Sequence, residues 1–491
     1  MNVSWCRSGS SAAPCPVCGS HAPKPHILVT SSFLPGSARL TLLRCIDCST
    51  AFYDHLAPPD YSSDTGVASA VKFYVEQGAA IDMMVGALSR VPRGDVRNFL
   101  DIGCGFGFVV DYAARAFKWA SRGIDPSPAA RAGRDILDLP IEVCYLRPGE
   151  MPEGSPFDLV FSSEVIEHVP DPIEFLRFAR SVLSPNGVAL ITTPNAGSID
   201  PATPAASLWP ILSPGAHLVL FTGESLRRAA AAAGFDHVRI WEVGHSLHAA
   251  FALTDGALHR IRDDIVIDRG LYRSYLEERR AGADPGSMLA NGLAWRLFKE
   301  YCISADFDLA DRVFAEIEGT YRARYGIELG DPEALGVLLR NAYLGSFETF
   351  SASVPFNISG ICFFRAIALM NHQGDRRRAL RFFDAAIVSG LYVRAALRRI
   401  GADDGETQDF IQLSRIRRAL ATGHDHPFKA IASILRFNAP PAIDPNVAGL
   451  WNETRGPLRW AASMALATGR ARLSSLRSRL SNSLRPRSLD A

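Results

Sequence analysis

The chain is short of lysine, which supplies only five of its 52 basic residues. Arginine nevertheless balances the 51 acidic residues, and the formal net charge is +1. A chain this close to neutral has no overall electrostatic attraction to nucleic acid. We therefore expect no nucleic-acid partner.

Two targeting features are also missing. Residues 1–7 lack the basic-then-apolar pattern of a secretory signal. No uninterrupted apolar run reaches the roughly 20 residues that a membrane-spanning helix needs. These absences predict a cytoplasmic protein, in which cysteine thiols stay reduced.

The length and composition indicate an ordinary globular protein with more than one core. The chain has 491 residues, of which 47% are apolar and 21% charged. A single core rarely grows to this size, so two or three domains are expected.

Four of the nine cysteines form two Cys-x-x-Cys pairs near the N-terminus: Cys15, Cys18, Cys45 and Cys48. Four thiolates at this spacing suit tetrahedral zinc, and Gly19 allows the first pair to turn toward the metal. We predict a structural zinc ribbon over residues 1–57. The alternatives are four free cysteines or a redox pair, but neither pair lies in the strand–helix unit of a redox motif.

The segment Asn98-Phe-Leu-Asp-Ile-Gly-Cys-Gly-Phe-Gly107 organises the middle of the chain. An apolar run ending in Asp101 predicts a buried strand, and the glycines predict a tight turn before a helix at Phe108. A dinucleotide site would need glycine at the sixth position of Gly-x-Gly-x-x-Gly. That position is Phe108, so a dinucleotide site is excluded.

Further strands alternate with helical stretches after this turn. The predicted strands end at Asp125, run over 141–145, 157–163 and 187–195, and continue with 237–241 and 246–253. Alternation of this kind predicts a doubly wound α/β sheet. Asp125 ends the second strand, where a carboxylate can accept the hydroxyls of a ribose.

Three segments resemble class I S-adenosylmethionine-dependent methyltransferases: LDIGCGFG, FDLVFSSEVIEHVPDP and LSPNGVALITTPN. The resemblance covers residues 96–255 and implies a seven-stranded Rossmann-like sheet with S-adenosylmethionine as cofactor. A zinc ribbon before this fold resembles a bacterial group that includes deoxysugar C-methyltransferases. By this resemblance the cofactor-binding residues are Asp101, Gly103, Cys104, Gly105, Gly107, Asp125, Pro126 and Ser163.

Residues 58–95 are expected to form a linker and a helix that caps the cofactor site. Pro58 to Tyr61 would be linker, and the helical spacing begins near Val71. Tyr74 on this helix either points toward the acceptor or packs between domains.

Candidate catalytic residues lie after the fourth and fifth strands. They are Glu164, Glu167, His168 and His217, of which the first can act as a base at the carboxyl edge of the sheet. In the sugar C-methyltransferases a Glu-His pair does acid–base work; His217 matches the histidine, but Ala216 replaces the acid. Glu164 or Glu167 could supply that carboxylate in space. His168 alternatively has a packing role.

Residues 201–223 contain no Asp, Glu, Lys or Arg and four prolines. The prolines exclude a long helix, and a long irregular loop at this position is typical of a lid. We expect the stretch either to contact an apolar acceptor or a membrane, or to pack on the C-terminal half. Thr222 is expected to cap the helix that follows.

The C-terminal part has helical periodicity. Residues 256–450 predict a helical domain, in which Ala310/Phe314 and Ala379/Phe383 resemble half of a tetratricopeptide pattern; an irregular bundle is the alternative. Residues 451–491 predict a basic amphipathic tail that lies on an anionic membrane, docks on a partner or forms a frayed terminus.

The sequence thus predicts a methyltransferase acting on a small molecule, by resemblance a sugar or lipid-linked glycan intermediate, in the cytoplasm and with peripheral membrane contact through 201–223 or the tail. Alternatives are a scaffold that binds cofactor without chemistry, or a methyltransferase for a protein or apolar metabolite gripped by the helical domain. The sequence leaves the oligomeric state open.

Overall fold

The computed structural model describes residues 3–32, 39–55, 57–64, 67–77, 81–147, 149–400, 403–422 and 447. The chain divides into two compact units, Met1–Glu300 with Leu397–Asp403, and Tyr301–Ala396 with Asp404–Ala491. The predicted boundary at residue 255 differs from this division, because the first unit extends 45 residues further. The predicted tail, 451–491, lies outside the described residues.

The first unit begins with short strands and continues as alternating strands and helices. In chain order its elements are β1 Ser4–Trp5, β2 Ser10–Ser11, β3 Lys24–Ser31, β4 Arg39–Arg44, β5 Ala51–Tyr53, α1 Val67–Gln77, α2 Ile81–Leu88, β6 Asn98–Ile102, α3 Phe108–Ala116, β7 Ala120–Ile124, α4 Pro128–Leu137, β8 Ile141–Glu142, β9 Phe157–Ser163, α5 Pro172–Ser181, β10 Leu183–Pro194, α6 Ala205–Leu212, β11 Val219–Leu220, α7 Gly223–Ala232, β12 His237–Val243, β13 Ser246–Ala252, α8 Asp255–His259, α9 Arg269–Ala281 and α10 Met288–Ile303.

The large sheet has seven strands in the order β12-β13-β10-β9-β6-β7-β8. The strands from β6 to β10 pair in parallel, whereas β13 lies antiparallel to both β10 and β12. The chain reverses its direction of winding between β6 and β9, and ligands bind at the carboxyl edge of such a point. The predicted seven-stranded Rossmann-like sheet is confirmed, although the third strand is shorter than expected.

Helix starts along this sheet follow capping chemistry. Ser127 accepts a hydrogen bond from the Ala130 amide ahead of α4, and Asp171 accepts two amides ahead of α5. Thr222 and Ser225 form a capping box at α7, as expected for Thr222. These caps fix where each strand gives way to its helix.

Alternate residues of β10 face two different apolar clusters. Ala189 and Ile191 pack with residues of α5 and α7, while Val188 and Leu190 pack with residues of α2 and α3. Because side chains alternate along a strand, Thr192 faces the α2 side and Thr193 the α5 side. The sheet edge therefore presents different side chains on its two faces.

The N-terminal ribbon forms a second, antiparallel sheet in the order β1-β3-β4-β5-β11, with β2 paired to β3. Its last strand, β11, comes from the segment after β10 and pairs Val219 with Phe52 and Leu220 with Ala51. Tyr53 adds a hydrogen bond from its hydroxyl to the Leu212 carbonyl, 3.1 Å. The ribbon is thus joined to the carboxyl edge of the large sheet.

The long irregular loop expected over residues 201–223 is partly regular. The stretch contains helix α6, with Pro210 inside it, and strand β11. Its apolar side chains Leu208, Ile211, Leu212 and Leu220 are buried in one cluster with the ribbon residues Leu28, Leu40, Leu42 and Tyr53. They pack on the ribbon, because β5 offers a free strand edge at this point.

The second unit is helical over its described residues. Its helices are α11 Phe307–Tyr325, α12 Pro332–Leu344, α13 Phe347–Ser353, α14 Ile358–Ala368 with a π-helical turn Leu369–Gln373, α15 Arg376–Arg399 and α16 Gly405–Thr422. Their lengths run from 7 to 24 residues without a regular period, which favours the irregular bundle over tetratricopeptide repeats. Ala310 and Ala379 are both buried, as core positions in either arrangement.

One helical stretch, Phe347–Gln373, is long and apolar enough to cross a membrane, with a mean hydropathy of 1.5. The sequence analysis did not anticipate it. However, 83% of its most apolar window is buried inside the protein. A core helix has the same character, so the stretch is weak evidence for a membrane span.

Candidate active site

The four predicted zinc ligands lie together. The Sγ atoms of Cys15 and Cys48 are 3.5 Å apart, and those of Cys18 and Cys45 are 3.6 Å apart. Four sulfurs at about 2.3 Å from a tetrahedral zinc would be about 3.8 Å from one another. The sulfur positions therefore fit zinc.

The two Cys-x-x-Cys turns have the same backbone geometry. The Gly19 amide donates to the Cys15 carbonyl at 2.9 Å, and the Ser49 amide donates to the Cys45 carbonyl at 3.0 Å. Gly19 and Ser49 both have left-handed backbones, with φ of +69° and +62°. Gly19 was expected to allow this turn, whereas Ser49 adopts it without being glycine.

The turn after β6 depends on its glycines. Gly103, Gly105 and Gly107 have φ of +74°, +52° and +86°, a left-handed region that disfavours other residues. A Cβ on Gly103 would lie 2.3 Å from the Val165 side chain. The sequence could not reveal a fourth glycine, Gly133 on α4, where a Cβ would lie 1.9 Å from the Phe106 carbonyl oxygen and push α4 off the turn.

Asp125 follows β7 and is bound to the same turn. Its carboxylate accepts the Gly105 amide at 2.9 Å and the Ser127 amide at 2.8 Å. Asp101, at the neighbouring strand end, is buried, and burial together with the Asp125 charge raises the pKa of the Asp101 carboxyl. Two carboxyl groups and three left-handed glycines therefore frame one cradle.

The other predicted cofactor residues lie around this cradle. Cys104 is in the turn itself, and its Sγ would be 2.6 Å from a Cβ on Gly123. Pro126 follows Asp125, and the Ser163 hydroxyl at the end of β9 is 2.8 Å from the Thr192 hydroxyl. The set fits S-adenosylmethionine: Asp125 for the ribose, and the glycine turn for close approach of the methionine part.

Glu164, directly after β9, has a strained backbone and a perturbed carboxyl group. Its φ is +58°, which is unusual for a residue other than glycine and is often found at functional sites. The Thr192 hydroxyl donates to its carboxylate at 3.1 Å. Burial raises the pKa of Glu164 to about 7, partly offset by that hydrogen bond.

Glu167, His168 and His217 converge on the opposite face of β10. Glu167 Oε1 lies 3.8 Å from Nε2 of His168 and 3.8 Å from Nε2 of His217. Thr193 donates to the other carboxylate oxygen at 2.9 Å, while Oε1 has no hydrogen-bond partner among the described residues. Glu167 therefore places a carboxyl group beside His217, which compensates in space for Ala216. Burial and the Glu164 charge raise the pKa of the Glu167 carboxyl well above its ordinary value.

Both imidazoles have their Nδ1 atoms turned toward backbone carbonyls. His217 Nδ1 is 2.8 Å from the Ile211 carbonyl oxygen, and His168 Nδ1 is 3.1 Å from that of Ala216. Donation from Nδ1 leaves each Nε2 with a lone pair. Burial lowers the pKa of His168 to about 4 and that of His217 well below its usual value, so both rings are neutral near pH 7.

Two histidines and a carboxylate also form a set that a divalent metal ion could use. The three ligand atoms of Glu167, His168 and His217 lie within 4.8 Å of one another. The same groups can instead hold and move a proton. All three residues were candidates from the sequence, but no metal was predicted for them.

Tyr61 completes the site from the segment expected to be a linker. Its hydroxyl is 2.6 Å from His168 Nδ1, and its amide donates to the Tyr145 hydroxyl at 2.9 Å. One weak signal for this role is present in the sequence, an aromatic residue inside a polar, proline-rich stretch. Tyr74 also lies at the site, with its ring 3.9 Å from the position of a Cβ on Gly105.

Replacing Asp125 by alanine should weaken cofactor binding by roughly 1.5–3 kcal/mol, the value of a charge-assisted hydrogen bond. Calorimetry with S-adenosylmethionine measures this directly. Asp135→Ala, which removes an exposed carboxylate on α4, is the matched control and should bind normally. Equal affinity in the two variants would mean that Asp125 does not hold the ribose.

The sheet order, the glycine turn and the acid after β7 define a class I S-adenosylmethionine-dependent methyltransferase domain. A family described as "Methyltransferase domain" matches residues 80–240. This match confirms the resemblance that the sequence motifs indicated.

Curated relatives match part of the chain. The ubiquinone biosynthesis O-methyltransferase of Caulobacter vibrioides is 41% identical over 108 residues, which are 20% of this chain and 41% of that protein. The protein of the same name from Paramagnetospirillum magneticum is 33% identical over 127 residues, 25% of this chain and 47% of that protein. The chain thus spans less than half the length of these relatives.

Solved structures show partial similarity. An O-methyltransferase family protein from Burkholderia thailandensis aligns with 41% of this chain and 66% of its own, at 18% identity and a TM-score of 0.33. An S-adenosylmethionine-dependent methyltransferase from Mesorhizobium loti aligns with 36% and 98%, at 24% identity and a TM-score of 0.29.

Proposed function

We propose that the protein transfers a methyl group from S-adenosylmethionine to an oxygen atom of a small-molecule acceptor. The observation that carries this proposal is the convergence of Glu167, His168 and His217 at the carboxyl edge of the sheet, with Glu164 on the other face of β10. A hydroxyl is a weak nucleophile and gains from a base, whereas a free amine does not need one. The curated relatives are named O-methyltransferases, which also favours oxygen.

The cofactor supplies an activated methyl group, so the chain has mainly to align the reactants and remove a proton. Asp125 and the glycine turn hold the cofactor. Nε2 of His217 would take the proton of the acceptor hydroxyl, and S-adenosylmethionine held in the cradle would supply the methyl group that the oxygen receives. Glu167, 3.8 Å away, stabilises the imidazolium that forms. Zinc in the ribbon has a structural role.

The proposal also concerns the chemical class of the acceptor. The ribbon and methyltransferase domain resemble sugar-modifying enzymes, which favours a sugar or lipid-linked glycan, whereas the relatives' name favours an intermediate of ubiquinone biosynthesis. A panel of nucleotide sugars, lipid-linked sugars and hydroxylated quinone precursors, incubated with isotope-labelled cofactor, tests both. Cytoplasmic location and peripheral membrane contact remain predictions.

A cofactor-binding scaffold without chemistry is the second candidate. The sequence favours this candidate because alanine, rather than an acidic residue, precedes His217. The position of Glu167 weakens that support, because a carboxylate is restored from another element. Cofactor binding without turnover on any small molecule or protein would favour the scaffold.

The pH dependence of turnover should show whether Glu164 is the base instead of His217. A carboxyl group with a pKa of about 7 is ionised only above that pH, so catalysis by Glu164 should increase through pH 7 and then level. Catalysis by His217, whose pKa lies well below 6.5, should be flat from pH 7 upward. Rates of single turnover from pH 5.5 to 9 distinguish the two.

Replacing Glu164 by glutamine tests the raised pKa of Glu164 through the thermal stability of the protein. Since the folded-state pKa of Glu164 is above its ordinary 4.5, folding favours the protonated form and stability is lost as the pH rises from about 4.5 through about 7. The glutamine variant should therefore melt at a higher temperature than wild type at pH 8 and at a similar one at pH 5. Glu174→Gln on α5, where the carboxylate is exposed, should change neither value.

A further inference from the structure

Helix α10 crosses the capping helix α1 with almost no space between the backbones. A Cβ on Gly292 would lie 2.0 Å from the Val75 carbonyl oxygen and 3.0 Å from its carbonyl carbon. Glycine inside a helix costs about 1 kcal/mol relative to alanine. Here it permits an approach that any other residue would prevent.

Arg296, one turn after Gly292, binds the end of α1. Its side chain is 3% exposed, and Nη1 donates to the carbonyls of Val75 and Gly292 at 3.3 and 3.2 Å. Val75 is among the last four residues of α1, whose carbonyls lack partners within the helix. A cation there also offsets the negative end of the helix dipole.

The same guanidinium contacts the helix that follows the glycine turn. Its central carbon is 5.2 Å from the ring centre of Phe108, the first residue of α3. Arg296 therefore contacts both the end of α1 and the start of α3. These are the two helices that flank the cofactor cradle.

The other side of α1 faces the cradle. Tyr74 lies over Gly105, whose amide is bound to Asp125, while Val71 and Val75 are buried. An isolated helix of 11 residues is marginal in water, so its position depends on what packs against it. Among the described residues, α10 supplies both the close glycine contact and the arginine cap on α1.

We propose that Gly292 and Arg296 are positioning residues for the cofactor, holding α1 so that Tyr74 covers the glycine turn. The inference rests on the proposed function in that the cradle binds S-adenosylmethionine. It assigns to residues 288–300 a role in cofactor retention, although the sequence placed them in a separate helical domain.

Calorimetry with S-adenosylmethionine and with S-adenosylhomocysteine tests the proposal on the full-length protein. Gly292→Ala should weaken both affinities by about tenfold through faster dissociation, since the new methyl group displaces α1. Gly319→Ala in α11, where a Cβ would meet nothing within 4 Å, is the matched control and should bind normally. Equal binding by the two variants would overturn the proposal.

Arg296 provides a second test if Gly292→Ala folds poorly. Arg296→Met should weaken cofactor binding, and Arg296→Lys should recover part of it, because lysine keeps the cation at the end of α1. Hydrogen exchange should show faster opening of α1 in the methionine variant. Unchanged affinity in Arg296→Met would contradict the positioning role.

A double-mutant cycle separates positioning from general stability. If α10 acts through Tyr74, then Arg296→Met should cost little affinity in a Tyr74→Ala background. An undiminished cost in that background would mean that Arg296 does not act through Tyr74. Wild-type protein that binds neither cofactor form would refute the proposed function itself, whereas normal wild-type binding with insensitive α10 variants refutes only this inference.

Discussion

Replacing His217 by alanine is expected to lower methyl transfer by about 100-fold or more while leaving cofactor affinity unchanged. The expected size is that of removing a general base. His217 suits this role because its Nδ1 is held by the Ile211 carbonyl, its Nε2 keeps a lone pair, and Glu167 lies beside it. Single-turnover rates and cofactor calorimetry on the same preparation measure the two effects.

His168→Ala is the matched comparison for this prediction. His168 shares Glu167 with His217, and the two rings meet edge to face at 4.6 Å, yet we expect the smaller loss from His168. A larger loss in His168→Ala would move the base to that ring. Full turnover in His217→Ala would instead favour Glu164, or an acceptor that needs no base.

Glu167→Gln tests whether the carboxylate of Glu167 and the imidazole of His217 act together. The amide keeps the contact with Thr193 but cannot stabilise an imidazolium, so turnover should fall toward that of His217→Ala. Because the three side chains could also hold a metal ion, each variant should be assayed after dialysis against a chelator and again with added divalent ions. Activity that depends on such ions would replace the proton-transfer role with a metal-dependent one.

Replacing Cys45 by serine is expected to have the largest effect on stability. Structural zinc sites bind the metal with roughly 10–16 kcal/mol at neutral pH, and this energy contributes to folding. The variant should lose zinc in metal analysis of purified protein and melt at a much lower temperature. Wild type should contain about one zinc per chain, as four thiolates require.

Cys6→Ser is the control for that variant, since Cys6 lies near the ribbon but outside the group of four sulfurs. It should keep both zinc and stability. Wild-type protein that is free of metal and fully stable would exclude a zinc ribbon. In Cys45→Ser, the large sheet should retain more cofactor affinity than turnover, because the ribbon pairs with the strand that directly follows His217.

Local patterns predicted the large sheet well. Apolar runs ending in Asp101 and Asp125, with glycines or a helix cap after them, are features that a few adjacent residues determine. The strands β12 and β13 were also predicted correctly, because a short turn joins two runs of residues that favour strands. The presence of Glu167 near His217 followed from both segments leaving the same sheet edge.

Contacts between distant segments were the ones missed. Nothing near residues 201–223 indicates that their apolar side chains pack on a ribbon built from residues 24–53. Likewise, Tyr61 meets His168 and Gly292 meets Val75 through tertiary packing alone. Such tertiary contacts depend on which surfaces stay exposed once the large sheet has formed.

The pairing of β5 with β11 affects how the chain folds during synthesis and how well it can be expressed as two fragments. During synthesis the ribbon is translated before the large sheet. The outer strand of the ribbon, β5, pairs with residues 219–220, so its edge stays exposed until most of the large sheet has been translated. Unpaired edges of this kind promote aggregation. A fragment lacking residues 1–57 would leave β11 without its neighbour, and expression of either piece alone should give less soluble protein than expression of the two pieces together.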